Sequence, residues 1–506
     1  NPDLAITSFD TPNPQMDNRV FLGAKAYYLK KLTSYGLPVP PGFVLTTEVF
    51  RHRDTVLDHP YMSLELESFI YREIEKIEKI SSKKFGDVNN PLFLSVRSGT
   101  AISLPGAMNT VLNVGINDII AEKMEETSEN AWMIWDSYRR FIQSWGMING
   151  IERSDFDKII NEFKQSYNVQ KKADFTSKQM KELVKEYKII LQDKNITIHQ
   201  DPYIQLRQAL NIVLDSWDTE RAQAYREHLQ IAEEWGTAVI IQKMVMGNKS
   251  KFSGSGVVFT HNPKLSKPGI NLYGDFTPCS QGEDIVAGLV HPLPVSESQR
   301  LEDYTDSNES LESTFPEIYK QLFEYSKKLI YDLGFSNQEI EFTFESANPK
   351  DLYILQTREQ IITPKEKTPV FCENHSKMKF LGQGIGIGNE CLTGRIAFDK
   401  EDLLYLKENY PKDKQILVRP DTIPDDIPKI LICHGLITSR GGVTSHAAVT
   451  AGKLKKVCIV NCKDLIVKDK EKECIIGKKN LRVGDIISID GKTGNIYLGE
   501  YKIIYI

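Results

Sequence analysis

The sequence predicts a multidomain α/β (α+β) protein, and three observations carry that prediction. At 506 residues the chain is longer than one core of ordinary size accommodates. Its 41% hydrophobic and 26% charged residues suit packed cores rather than disorder. Its pattern also alternates, with short apolar runs broken by Pro and Gly towards both ends and long stretches of helical period between them.

Taken in order, residues 1–119 read as a first α/β lobe. LPVPPGFVLTT at 37–47 and the buried-strand run LFLSVR at 92–97 fall there, with a charge-laced helix over 62–80 packed on the sheet. Residues 120–235 read as a helical subdomain, with helices over 131–147, 177–192 and 219–235. Short β-type runs return over 236–360: AVIIQKMV, GVVFT, EIEFTFE and LYILQT. The polar stretch 361–382, interrupted by Pro364 and Pro369, reads as a linker. Residues 383–506 then form a small β-rich domain whose DIISIDGKTGNIYL segment is two strands joined by a glycine-containing turn.

The bulk properties exclude several classes. A formal charge of −5 gives no attraction to nucleic acid or anionic membrane, and the lysine clusters are interleaved with glutamate. No apolar run approaches the roughly 18 residues of a membrane span, and the first residues lack the order of a signal peptide. Seven scattered cysteines form no disulfide framework, and Cys458 with Cys462 lacks a second pair at zinc-like spacing. The expected location is cytoplasmic.

Chemistry concentrates in three places. In SRGGVTSHAAVTAG at 439–452, two glycines and small polar residues precede an Ala-rich helix. His446 stands at the first turn of that helix, where free N–H groups and the positive dipole end favour an attached phosphate. Imidazole is a competent nucleophile near neutral pH, so this is either a phosphoryl-carrying histidine or a helix-capping loop with an incidental one. Lys25 and Arg97 are either surface charges or a point charge and a fork for phosphate, in which case the loop 98–109, with Gly99 and Gly106, lets backbone N–H groups approach it. Glu339 and Glu341 sit at i and i+2 of a strand, on one face, as a pair able to hold Mg²⁺ or as a solvated edge.

GGVTSHAAV closely resembles the phosphohistidine signature of the enzymes that use phosphoenolpyruvate. FLGAKAYYLKKL at 21–32, LFLSVRSGTAISLPGAMNTVLNVGIND at 92–118 and QEIEFTFESANPKDLYILQTREQ at 338–360 resemble the nucleotide region of the pyruvate phosphate dikinase group. The resemblance runs from about residue 20 to about residue 500 in that group's order. Starch-phosphorylating dikinases and rifampicin phosphotransferases order their parts differently.

The resemblance implies an ATP-grasp-like nucleotide-binding region with a helical insertion, followed by a β-rich α/β phosphohistidine swivelling domain. It implies ATP phosphates on Lys25 and Arg97, Mg²⁺ on Glu339 and Glu341, and a nucleotide site lined by Gln356 and Arg358. Segments similar to those around adenine and ribose add Gln242, Lys243, Val245 and Gln281. Arg139 or Arg140 either reaches a phosphate or forms a helix salt bridge. Thr444 resembles a threonine phosphorylated in some members. Four positions depart from the group's pattern: Ala24 and Ala26 where glycines flank the lysine, Glu339 where Asp is usual, and His261 where Arg is common.

The implied reaction is ATP + orthophosphate + pyruvate = AMP + pyrophosphate + phosphoenolpyruvate, with His446 carrying the phosphate. Pyruvate would be met on a barrel domain expected on another chain or beyond these residues. The alternatives are a water-using, phosphoenolpyruvate synthase-type half-enzyme, transfer to another acceptor, and a degenerate module that binds nucleotide without transfer.

Overall fold

The computed structural model describes residues 4–54, 60–102, 104, 106–127, 131–170, 172–265, 269–282, 291–304, 307–360, 369–373, 377–423 and 426–505. Of the expected linker, residues 361–368 and 374–376 lie outside the described residues, as do 283–288 of QGEDIVAG and Ser103 and Pro105 of the 98–109 loop.

Strands β1 (Ile6–Ser8), β2 (Gly42–Leu45), the short parallel pair β3 (Lys84–Phe85) and β4 (Pro91–Leu92), β5 (Leu94–Gly99), β6 (Thr110–Val114) and β7 (Ala238–Lys243) open the chain's β-structure. Five of them make an antiparallel sheet in the order β1-β2-β7-β5-β6. AVIIQKMV therefore belongs to the first sheet, between β2 and β5, and not to the second lobe where its place in the chain suggested. Every residue of β5 is buried, and β7 is buried from Ala238 to Gln242, because both are central strands covered on each face.

The helical subdomain lies between β6 and β7 in sequence, with helices Ala131–Ile148, Arg153–Ser166, Ser177–Asp193, Pro202–Asp215 and Glu220–Leu229 among its elements. Its core joins the first sheet in one apolar cluster containing Val96, Ile241, Trp145, Tyr187 and Trp217. The sequence reading extends the last helix to 235, but it ends at Leu229. Gln230 adopts φ 54° there, and the Ile231 N–H bonds back to the Arg226 carbonyl at 2.9 Å, a Schellman-type stop without glycine.

The second sheet is also antiparallel, β10-β9-β8-β11-β12, formed by β8 (Gly254–Phe259), β9 (Tyr273–Pro278), β10 (Leu293–Pro294), β11 (Gln338–Phe344) and β12 (Leu352–Glu359). Phe342 and Phe344 face helix Pro316–Lys327 through one apolar cluster.

In the third unit, β13 (Pro369–Phe371), inside the expected linker, pairs with β25 (Ile503–Tyr505). The main sheet contains β14 (Phe380–Gln383), β15 (Ile385–Ile387), β16 (Cys391–Ala397), β17 (Gln415–Arg419), β18 (Gly435–Thr438), β19 (Val457–Val460), β23 (Ile486–Asp490) and β24 (Asn495–Leu498). Their order is β14-β24-β23-β16-β17-β18-β19-β15, parallel from β16 to β19. A three-stranded sheet, β20 (Leu465–Lys468), β21 (Glu473–Ile476) and β22 (Lys479–Arg482), stands beside it. Five cysteines of this unit, Cys391, Cys433, Cys458, Cys462 and Cys474, are buried free thiols, and burial pushes the Cys433 thiol up to about 11. No helix among the described residues is long and apolar enough to cross a membrane.

Candidate functional site

Gly23 sets the first half of the site. It interrupts helix Arg19–Ser34 with φ 71°, and a Cβ there would stand 2.2 Å from the Gly99 carbonyl oxygen. Only glycine accommodates both the conformation and the approach. The Ala24 N–H then donates to the Thr100 carbonyl at 2.8 Å, which ties the restarted helix to the end of β5. Lys25 and Arg97 become electrostatic neighbours as a result.

Strand pairing sets the second half. β11 and β12 align Glu339 opposite Arg358 and Glu341 opposite Gln356. Alternation puts the two carboxylates on one face, and Arg358 donates to Glu339 through Nη2. Just past Glu341 the register slips, leaving Leu355 as the extra residue of a bulge. Its carbonyl accepts from Arg97 Nη2 at 3.1 Å, so the bulge joins the second sheet to β5 of the first.

The resulting cluster is rich in cations. Lys25 is partly buried and makes no hydrogen bond or ion pair among the described residues; burial, then Arg97, lower its pKa to about 8, with Glu341 opposing and Arg358 adding to the decrease. Burial likewise lowers Arg97, against the pull of Glu341. Arg358 is raised, because Glu339 and Glu341 outweigh its desolvation. The Nε atoms of Arg97 and Arg358 are buried without a hydrogen-bond partner among the described residues. Buried N–H donors of charged groups left unsatisfied are costly, and an anion between them removes that cost. Glu339 and Glu341, with oxygens from such an anion, are the hard donor set Mg²⁺ prefers.

His446 begins helix His446–Lys453, whose N-cap Ser445 accepts from the Ala448 N–H. The histidine is 5% exposed, with Nδ1 3.3 Å from the Thr422 hydroxyl. Its other face lies on Gly106: a Cβ there, at φ 69°, would approach Nε2 to 2.3 Å. Gly106 thus seats the imidazole against the first lobe.

The third unit is docked through several contacts. Asp275 of β9 is fully buried and accepts from the Thr444 N–H at 2.7 Å, the Thr444 hydroxyl at 2.8 Å and the Tyr304 hydroxyl at 2.8 Å. Burial outweighs those donors and lifts its pKa to about 6. Arg153 of the helical subdomain pairs with Asp421 at 2.7 Å, and His291 bonds Asn461. Tyr273 and Tyr304 share an apolar cluster with Val443, Ala447 and Ala451.

Other expected residues are placed differently. Gly99 gives its N–H to the Thr237 hydroxyl at 3.3 Å and packs under Gly23. Gln242 braces Arg97 through Oε1 and bonds the Pro40 carbonyl at 2.9 Å, so both ends of its amide are engaged. Gln281 joins a buried network with Asn113, Ser137 and Asn248. Arg139 and Arg140 both bind Asp136, at 3.0 and 2.9 Å; the salt bridge is buried in the subdomain and not on a helix surface. His261 turns its ring nitrogens to the Gly269 and Leu265 carbonyls, bracing its own loop. Thr444 is 2% exposed with its hydroxyl given to Asp275.

Sequence reasoning missed Asp275, Thr422 and Lys453, the last half-buried with Arg358, Glu339 and Lys25 as charged neighbours. Asp275 in YGDFTP and Thr422 carry no local signal, since their partners are 169 and 24 residues away. Lys453 could have been found from its seven-residue spacing after His446.

The profile described as "Pyruvate phosphate dikinase, AMP/ATP-binding domain" matches residues 53–314, more than half of the chain. The chain belongs to the pyruvate phosphate dikinase family. A second profile, "PEP-utilising enzyme, mobile domain", matches 411–494, which contains His446. Proteins named pyruvate, phosphate dikinase are similar to this family member over nearly its whole length. The one from Clostridium symbiosum is 34% identical over 98% of this chain and 58% of its own, and the one from Rickettsia typhi 33% over 97% and 57%. The chloroplastic protein of Flaveria pringlei is 34% identical over 96% and 52%. The chain thus spans just over half the length of these dikinases.

Proposed function

We propose that this chain performs the nucleotide half of a dikinase reaction, taking phosphate from Mg²⁺-ATP onto His446. The observation that carries this is a set of cationic donors gathered around two carboxylates: Arg97 Nε and Arg358 Nε, buried without a hydrogen-bond partner among the described residues, and half-buried Lys25 beside them. A polyphosphate satisfies all of them at once, and catalysis of phosphoryl transfer is mainly positioning and charge stabilisation. In this reading the two antiparallel sheets act as the lobes of an ATP-grasp-like site. Glu339 and Glu341 would hold Mg²⁺, which would supply neutralisation of phosphate charge. Gln356 lines the same floor, and Gln242 keeps Arg97 aimed.

In this reading the Thr422 hydroxyl is the acceptor for His446 Nδ1. With Nδ1–H donated to the Thr422 oxygen, the Nε2 lone pair faces the Gly106 side. Nε2 bonds to the β-phosphorus as the α–β bridging bond breaks, and AMP leaves. Orthophosphate then attacks the γ-phosphorus, the β–γ bond breaks, pyrophosphate leaves, and one phosphoryl group remains on Nε2. That sequence, and orthophosphate rather than water as the acceptor, are carried over from the family resemblance. Onward transfer to pyruvate on the family's barrel requires His446 to leave its docked place, because the Gly106 contact encloses it. Phosphorylation at Thr444 would need the same departure. A reducing cytoplasmic compartment fits the free cysteines.

The test is exchange of labelled AMP into ATP in the presence of Mg²⁺, orthophosphate and pyrophosphate. Exchange that His446→Ala abolishes supports the proposal; none in the unaltered chain, or equal exchange in the variant, refutes it.

A further inference from the structure

Helix His446–Lys453 ends on a lysine that neither the motif nor the reaction just described uses. Residues seven apart leave the same face of a helix, about 10 Å apart along its axis. His446 and Lys453 are so related, and that face meets the nucleotide lobes where His446 touches Gly106. Lys453 is partly buried, and the charges that act on it belong to the cluster across the boundary: Arg358, Glu339 and Lys25. It makes no hydrogen bond or ion pair among the described residues. Glu339, the acidic neighbour, is already bonded to Arg358. Burial, then Arg358, lower the Lys453 pKa to about 7. A half-buried ammonium facing two other cations is poorly placed as a structural salt bridge and well placed for a shared anion.

We propose that Lys453 contacts the polyphosphate held by Lys25, Arg97 and Arg358, so that the phosphohistidine domain itself supplies one cation of the nucleotide site when docked. The inference rests on the proposed ATP site and adds a property to it. A polyphosphate favours the docked state because Lys453 reaches it only there, and docking tightens nucleotide by the same factor. AMP, the nucleotide left after transfer, lacks the β and γ phosphates and does not hold Lys453. Loss of those phosphates therefore weakens docking at the point where His446 must depart.

The experiment is calorimetric titration of the full chain with Mg²⁺ and the β,γ-imido analogue of ATP, and separately with AMP. The unaltered protein is compared with Lys453→Met and Lys453→Arg. Loss of one charge-assisted phosphate contact predicts analogue binding weakened by about tenfold or more in K453M, with most of it restored in K453R. AMP affinity stays within about twofold, the unit here being well under one such contact. Analogue binding to K453M within about twofold of the unaltered protein overturns the proposal, as does equal loss of analogue and AMP, the mark of a structural role. Absence of analogue binding to the unaltered chain overturns it too. The two proposals separate cleanly: analogue binding that depends on Lys453 in a chain that never labels His446 supports this inference and refutes the transfer.

Discussion

The carboxylate of Asp275 on β9 receives both the N–H and the hydroxyl of Thr444, at 2.7 and 2.8 Å, two residues before the histidine. The contact joins the second sheet to the loop before His446. Gly442 packs on the same carboxylate, with room for no Cβ between them.

Asp275→Ala leaves those donors unsatisfied in the docked state, at a cost of about 3 kcal/mol or more, which undocking relieves. The expected outcome is exchange of the Thr444 amide faster by roughly a hundredfold, with AMP affinity retained. Hydrogen exchange read by mass spectrometry checks it. Unchanged protection there would show that the contact does not hold the domain.

Gly106→Ala tests the seat of the imidazole. Its methyl would lie 2.3 Å from Nε2, and φ 69° is strained for alanine. The histidine must move, so the rate of His446 labelling is expected to fall by at least about tenfold, while AMP binding changes little. Single-turnover labelling beside titration separates the two effects.

Gly23→Ala acts on the fold. The backbone strain and the clash with the Gly99 carbonyl predict a loss of about 2 kcal/mol or more, seen as a lower denaturation midpoint. ATP affinity should fall with it, because the same kink sets Lys25 beside Arg97. A variant of unaltered stability would contradict this account of the kink.

Lys25 gives nucleotide binding a pH dependence of definite sign. Its folded pKa, about 8, lies below the ordinary 10.5, so the ammonium is the disfavoured form in the empty site. That penalty on stability is full below about 8 and is relieved as pH rises from there towards 10.5. A bound polyphosphate favours the ammonium, so binding above pH 8 takes up a proton, and affinity falls by up to tenfold per pH unit. Titrations in buffers of different ionisation enthalpy should detect the uptake, and Lys25→Met should remove it.

Local chemistry made much of the site legible in the sequence. Glu339 and Glu341 could be placed on one face because strand alternation is local, and His446 because a glycine-rich loop before an Ala-rich helix is local. Their assembly was not legible. β7 lies in the first sheet although the helical subdomain precedes it in the chain, and no periodicity encodes which sheet a buried strand joins. The Leu355 bulge that aims a carbonyl at Arg97 depends on two sheets meeting. Gln230 ends a helix in a conformation usually given to glycine, so the expected helix ran too long. Asp275 reads as an ordinary strand residue until Thr444 is beside it. Arg139 and Arg140 look like phosphate ligands only while the buried Asp136 is out of view.

The most direct test of the central claim is the mass and label of His446 after incubation with Mg²⁺ and ATP labelled separately in its β and γ phosphates. The account predicts acid-labile β-label on His446, with γ-label released in pyrophosphate only when orthophosphate is present. No label on His446 with or without orthophosphate, in a chain that binds the nucleotide, would contradict it.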